Sequence, residues 1–180
     1  MKIIISTIFA LVLMYQANAQ GKYLTKTGYV SFYSHSIVED IKAENTQVLC
    51  IVDEETGKIA VKMLMRSFQF EKALMQEHFN ENYIESEKYP KASFVGEIVN
   101  YTKLNEGKNA VMVKGKLKLH GKEKEINEKA TIIKTDDEIN LSGDFMVDVA
   151  DFNIKIPSVV KKNIADKIKV TVNFLLKPYK

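Results

Sequence analysis

Residues 111–121 read Val-Met-Val-Lys-Gly-Lys-Leu-Lys-Leu-His-Gly, and this stretch decides the fold class. Every second position carries an apolar side chain or glycine, and most positions between them are basic. That period of two is typical of a β-strand with one face against an apolar interior and the other in water. The apolar face holds Val111, Val113, Gly115, Leu117 and Leu119, and the polar face holds Lys114, Lys116, Lys118 and His120.

The same alternation recurs near the end of the chain, and three earlier stretches are rich in β-branched and aromatic residues. Several sequential strands joined by short turns favour an all-β fold with a closed or nearly closed antiparallel sheet. The predicted strands are residues 29–33, 47–53, 58–70, 111–119, 139–148 and 168–174, and Glu54-Glu55-Thr56-Gly57 is predicted as a hairpin turn.

One segment breaks the alternation and is predicted to be helical. Within residues 70–83, Leu74, Met75 and Phe79 recur at helical spacing, so one short helix would lay them against the barrel. A second short helix or 3₁₀ turn is predicted after Pro157, with Val159, Val160 and Ile164 on it. Both are expected to act as lids at the mouth of the barrel.

Residues 1–19 have the parts of a secretory signal peptide. A single charge at Lys2 precedes an apolar run, and the small-x-small sequence Ala17-Asn18-Ala19 follows. The run is short for a membrane-spanning helix, which needs about 20 apolar residues, so cleavage is favoured over a retained anchor. Because no cysteine stands at the cleavage point, no lipobox is indicated. We expect residues 20–180 to form one exported domain, periplasmic or secreted.

Charge and cysteine content narrow the classes of function. The formal net charge is +3, and lysines alternate with acids without a basic block, so a nucleic-acid partner is not expected. Cys50 is the single cysteine and lies in an apolar run. It is interpreted as a small buried hydrophobe, and the fold must be held without a disulfide.

Three motifs give the chain a family resemblance. They are His78-Phe79 leading through Glu85–Phe94, the strand and turn Val113–Gly121, and Asp151-Phe152-Asn153-Ile154. Together they resemble the YceI-like family of lipid- or polyisoprenoid-binding proteins. The resemblance implies an extended, lipocalin-like antiparallel barrel of eight strands, with a long apolar ligand along its axis.

A barrel of about eight strands either fills with side chains or holds one small ligand. Gly115 and Gly143 are expected to open space between bulky inward residues, although they would equally suit bends of the barrel. The residues expected to face a ligand are Phe32, Met63, Met65, Phe68, Phe94, Val113, Gly115, Leu117, Gly143, Phe145, Val170 and Phe174, and those expected to close the mouth are Leu74, Met75 and Phe79.

Signatures of catalysis are absent from the sequence. His35, His78 and His120 are far apart, each is interpreted as a surface or mouth residue, and no metal or cofactor is expected. His120, which precedes Gly121 at a turn, is further interpreted as a residue that stabilises this turn. No nucleophile elbow or phosphate loop occurs, so no catalytic residue is assigned and the protein is not expected to be an enzyme.

The leading hypothesis is a carrier for an amphiphile such as a polyisoprenoid or isoprenoid quinone, serving storage or transport. The alternative is a structural or stress-related envelope protein with a filled barrel. Transient membrane contact and a homodimer are left open.

Overall fold

The structure is a computed structural model that describes residues 21–179, so the predicted signal peptide lies outside the described residues. Nine strands account for most of the described chain. They are β1 Lys22–Ser34, β2 Ile41–Asp53, β3 Lys58–Leu64, β4 Gln69–Phe70, β5 Lys91–Ile98, β6 Gly107–Leu119, β7 Lys122–Lys134, β8 Ile139–Asp148 and β9 Lys167–Pro178. The helix α1, Ala73–His78, runs into a π-helical turn at Phe79–Tyr83, and 3₁₀ turns occupy Met65–Ser67, Tyr101–Lys103, Val149–Phe152 and Ser158–Val160.

The sheet closes on itself. Eight strands follow one another in the order β1-β9-β8-β7-β6-β5-β3-β2, and β2 then pairs with β1. Every neighbouring pair is antiparallel, and the two-residue β4 adds only to the edge of β2. The predicted all-β barrel of eight antiparallel strands is therefore confirmed.

Short turns fix the register of the long strands. β6 and β7 pair from Gly107 with Lys134 to Leu119 with Lys122, and only His120 and Gly121 lie between them. Both turn residues have positive φ, 48° and 72°, as a type I′ hairpin requires. The predicted turn after β2 also forms, with Gly57 at φ 69° and the Asp53 carboxylate accepting from the Thr56 amide at 2.9 Å.

The prediction of one strand over residues 58–70 is wrong. β3 ends at Leu64, a 3₁₀ turn follows, and the chain is extended again only at β4. Met65 and Phe68 are both buried although they are three residues apart, which a strand with period two does not allow. A 3₁₀ turn repeats every three residues and so brings both side chains inside.

One seam of the barrel is paired over a small part of its length. β7 and β8 pair from Lys134 with Ile139 only as far as Thr131 with Ser142. Beyond that point, residues 122–130 of β7 and 143–148 of β8 have no ladder pairing with each other. The ladder between the two strands thus ends before the end of the barrel that carries the His120 turn, although Gly143 still lies close to Lys129 and Ala130.

Gly115 marks a close approach of two strands. It pairs with Gly96 of β5, and a Cβ on Gly115 would lie 2.4 Å from the Val95 carbonyl oxygen. The same Cβ would lie 2.8 Å from Cζ of Phe94, whose ring covers the glycine pair. Gly115 therefore opens no space for a ligand, which corrects its predicted role and favours the alternative of a structural glycine.

Replacing Gly115 by valine is expected to destabilise the fold by about 3 kcal/mol or more, because the new side chain meets backbone that cannot move aside. Gly143→Ala is the control, since its Cβ would meet the Lys129 carbonyl oxygen at 3.3 Å and Ala130 Cβ at 3.4 Å. We expect the free energy of unfolding of that variant to lie within about 1 kcal/mol of the wild-type value. Urea unfolding followed by circular dichroism measures both, and equal stabilities would contradict the close approach.

Cys50 is fully buried on β2, and this burial raises the pKa of its thiol. Because the thiolate is the reactive form, the native protein should not react with an aromatic disulfide reagent on the time scale of minutes. Reaction should begin only in urea concentrations that unfold the chain. Rapid stoichiometric labelling of the folded protein would show that the barrel opens at β2.

Candidate ligand-binding site

One end of the barrel is filled by its own side chains. The strand ends next to the turn between β2 and β3 contribute large residues that are almost completely buried. This packed end, called the floor below, comprises Tyr23, Val48, Cys50, Val52, Ile98, Tyr101, Ile132, Ile139 and Leu176. None of these nine side chains lines the cavity described next.

Tyr101 closes the floor against the adjacent turn. A Cβ on Gly57 would lie 2.4 Å from Tyr101 Cβ, so the tyrosine packs directly on that glycine. Burial, and secondarily the nearby Glu54 carboxylate, raises the pKa of Tyr101. The floor therefore shuts this end of the barrel to a ligand.

The other half of the interior is a cavity of about 350 Å³, and all nine strands contribute to its wall. Its volume falls at the lower end of the range typical of small-molecule pockets. The wall is formed mainly by aliphatic and aromatic side chains of alternate strand residues, such as Val61 and Met63 of β3 and Val170 and Val172 of β9. Such a wall binds apolar surface and offers few hydrogen bonds.

Four phenylalanines connect α1 to the barrel at the mouth of the cavity. The Phe79 ring lies 5.4 Å from Phe32, 5.9 Å from Phe68 and 5.0 Å from Phe70 between ring centres. Offset and edge-to-face contacts at such distances stabilise aromatic clusters. All four rings also line the cavity, so the helical segment covers part of the mouth.

Two loops complete the rim. The Ala165 amide donates to the Ser34 hydroxyl at 2.9 Å, which joins the segment before β9 to the end of β1. The segment sends Ile154, Ile156, Val160 and Ile164 into the cavity wall. Its 3₁₀ turn Ser158–Val160 stands where a short helix or 3₁₀ turn was expected.

The structure brings most of the predicted ligand-facing residues together around this cavity. Leu74 is an exception because it lies 61% exposed on the outer side of α1, so its predicted place against the barrel is wrong. Gly115 is the other exception, for the reason given above. The predicted residues that line the cavity are Phe32, Met63, Met65, Phe68, Met75, Phe79, Phe94, Val113, Leu117, Gly143, Phe145, Val170 and Phe174.

Sequence reasoning missed the contribution of β7. Its first half reads Lys-Glu-Lys-Glu-Ile-Asn-Glu-Lys, in which charges hide the alternation. The even-numbered residues Ile126, Glu128 and Ala130 nevertheless line the cavity. The spacing of Ile126, Ala130 and Ile132 by even numbers was the available signal.

His120 is buried, so its interpretation as a surface or mouth residue is wrong, whereas its contacts agree with its interpretation as a turn-stabilising residue. Its Nδ1 lies 3.0 Å from the Phe152 carbonyl oxygen and its Nε2 lies 2.7 Å from Glu85 Oε2. Both partners accept hydrogen bonds, and an imidazole donates from both nitrogens in its protonated form. The side chain thus ties the hairpin turn to two neighbouring segments.

His35 and His78 are exposed, and only His78 borders the cavity. Among residues 21–179, no three His, Cys, Asp or Glu side chains are grouped as a metal site would need. Within the same range, every helix falls short of the length and apolar character that a membrane crossing requires.

Comparisons with solved structures show the same architecture at low sequence identity. A polyisoprenoid-binding domain from Saccharophagus degradans, implicated in plant cell wall breakdown, superposes with a TM-score of 0.76 at 14% identity, covering 88% of this chain and 98% of that one. BcnA of Burkholderia cenocepacia superposes with a TM-score of 0.69 at 18% identity, covering 82% of this chain and 95% of BcnA. A Campylobacter jejuni YceI protein superposes with a TM-score of 0.66 at 17% identity, covering 81% of this chain and 90% of that one.

A search among curated proteins finds no match to the sequence. The family model described as the YceI-like domain matches residues 15–176, nearly the whole chain. Residues 78–94, 113–121 and 151–154, which carry the resemblance, all lie within the match. The chain therefore belongs to the YceI-like domain family.

Proposed function

We propose that the protein is an exported carrier that holds the apolar part of one amphiphile of the polyisoprenoid or isoprenoid quinone type in its barrel. The observation that carries this proposal is the divided interior, in which a sealed floor stands below an apolar cavity of about 350 Å³. Burial of apolar ligand surface contributes about 25 cal/mol per Å² before ordering costs are subtracted. The polyisoprenoid-binding domain of similar fold supports this ligand class.

The cavity suits binding better than chemistry. Its wall offers apolar side chains rather than a nucleophile beside a base, so the protein is proposed to store or transport its ligand unchanged. The signal-peptide pattern of residues 1–19 supports the proposed export, and an exported carrier would act in the periplasm or outside the cell.

The filled-barrel alternative describes only the floor. Nine buried side chains pack there, whereas the half that includes Val170 and Phe145 contains the cavity. A barrel with a purely structural role would be more stable if side chains filled this space. The atoms that line an empty volume lose van der Waals contacts that a packed interior would provide. The retained cavity favours a ligand.

Val170→Phe tests cavity binding directly. Val170 lines the cavity and pairs with Phe32 on one side and Phe145 on the other, so a ring there occupies ligand space. After delipidation, we expect wild type to bind a short-chain isoprenoid quinone and Val170→Phe to bind it at least about tenfold more weakly, as a loss of about 1.4 kcal/mol would give. Isothermal titration calorimetry measures both affinities.

Val95→Phe is the matched control, because Val95 is 64% exposed on β5 and lies outside the cavity. It should bind like wild type, and all three proteins should give the same circular dichroism spectrum. Equal binding by Val170→Phe and wild type would contradict a ligand inside the barrel.

The rim supports transient docking on a lipid surface as the route of loading. Three apolar side chains at its loop tips point into solvent: Ile37 is fully exposed, Val38 is 62% exposed and Val159 is 89% exposed. Their loops meet through the hydrogen bond between Ala165 and Ser34. Exposed apolar tips beside a cavity mouth suit shallow insertion into a bilayer.

Charge around Val159 points to anionic headgroups. Lys155, Lys161 and Lys162 are exposed on either side of it, and residues 153–165 contain no acid. Basic residues near a membrane surface attract anionic lipids by about 1 kcal/mol each. The same segment lines the cavity, so docking would place the mouth at the lipid.

Val159→Asp is expected to reduce binding to vesicles of phosphatidylcholine and phosphatidylglycerol by about tenfold, because it removes a valine that would insert into the bilayer and adds a negative charge that the anionic lipid repels. Val95→Asp, which makes the same change on the barrel wall, should leave vesicle binding unchanged. Vesicle flotation measures the bound fraction. Equal losses for the two variants would contradict docking through the rim.

The homodimer stays a prediction. Since β1 closes on both β2 and β9, the ladder edges open to a second copy lie mainly along the separated parts of β7 and β8.

A further inference from the structure

Glu128 is a carboxylate on the inner face of the barrel wall. It belongs to the even-numbered residues of β7, and it lines the cavity together with Ile126 and Ala130. Its register partner on β6 is Val113, which also lines the cavity. The inner surface around Glu128 is thus apolar.

No ion pair in the described chain neutralises this carboxylate. Among residues 21–179, nine ion pairs of lysine or arginine form, and Glu128 takes part in none of them. Glu123 of the same strand and Glu97 of β5 are both paired with lysines. An inward carboxylate without a partner costs stability unless something in the cavity, solvent or ligand, satisfies it.

Glu128 is only half-buried, which allows water to reach it in the absence of ligand. The ladder between β7 and β8 stops at Thr131 and Ser142, three residues from Glu128. Across this seam Gly143 lines the cavity, and an ion pair between Lys124 and Asp151 at 3.0 Å spans it nearer the mouth. Glu128 therefore lies on a stretch of the cavity wall that has no ladder pairing with β8.

We propose that Glu128 receives the polar end of the ligand at this seam, and that the ligand carries an alcohol or amine there rather than a phosphate. The inference rests on the proposed carrier function and narrows its ligand class. An ionised carboxylate only accepts hydrogen bonds, so it selects a group that donates. It pairs with an ammonium through a charge-assisted hydrogen bond and repels a phosphate at the same place.

The apolar tail of such a ligand lies in the cavity towards the phenylalanine cluster, because the floor blocks the opposite direction. The half-buried position of Glu128 gives the polar end access to water. Lys129, the next residue in the chain, is exposed and also borders the cavity.

Three probes with one tail and different ends test this assignment: farnesol, farnesylamine and farnesyl diphosphate. For the delipidated wild type, calorimetry should show farnesylamine and farnesol binding at least about tenfold more tightly than the diphosphate, a preference of about 1.4 kcal/mol. In Glu128→Gln, which keeps size and polarity but removes the charge, the preference for the amine over the diphosphate should fall by about tenfold or more.

Glu125→Gln is the matched control, since Glu125 is exposed on the same strand and its replacement changes the net charge equally. It should keep the wild-type order of affinities. Binding of all three probes with equal affinity to wild type and Glu128→Gln would overturn the role of Glu128 and leave the carrier function standing. If no farnesyl probe binds to wild type, the role of Glu128 is overturned, and the carrier function is overturned as well if the isoprenoid quinone does not bind either.

Discussion

The pairing of β1 with both β2 and β9 is the constraint on which the rest of the structure depends. Because this first strand closes the sheet, its alternate residues and those of seven other strands share one interior that is shielded from water. Closure also removes most ladder edges, which would otherwise invite pairing with other chains. A closed interior of this width must then be filled either by side chains or by a guest.

The protein uses both solutions, at opposite ends. Tyrosines and aliphatic residues fill the floor, and Tyr101 packs against Gly57 to seal it. Towards the mouth the wall keeps its space, and the phenylalanine cluster holds α1 over part of the opening. The floor supplies folding stability without a disulfide, so the upper half is free to bind.

The sequence predicted the fold where one face of a strand is apolar and the other charged, as in β6, β8 and β9. It failed for residues 58–70, where a 3₁₀ turn shifts the phase so that Met65 and Phe68 both face inward. The start of β7 gave no strand signal, because its inward residues include the charged Glu128. Local periodicity cannot show that a charged residue faces the interior of a barrel.

The site was predictable in outline but not in detail. The inward direction of large side chains such as Phe145 and Val170 follows from the alternation of side chains along a strand. The role of Gly115 depends on how closely β5 approaches β6, and the exposure of Leu74 depends on how Phe79 orients α1. Both depend on tertiary packing, which local sequence patterns do not show. The separation of β7 from β8 likewise appears only once the ladder is known.

The central claim is that the upper half of the barrel holds a lipid-like guest. The full chain, expressed with its export signal and purified without detergent, would be measured by native mass spectrometry and its organic extract analysed after denaturation. We expect an added mass of several hundred daltons that leaves on denaturation and fragments as an isoprenoid amphiphile. A bare protein mass, together with no uptake of added isoprenoid quinone, would contradict the claim.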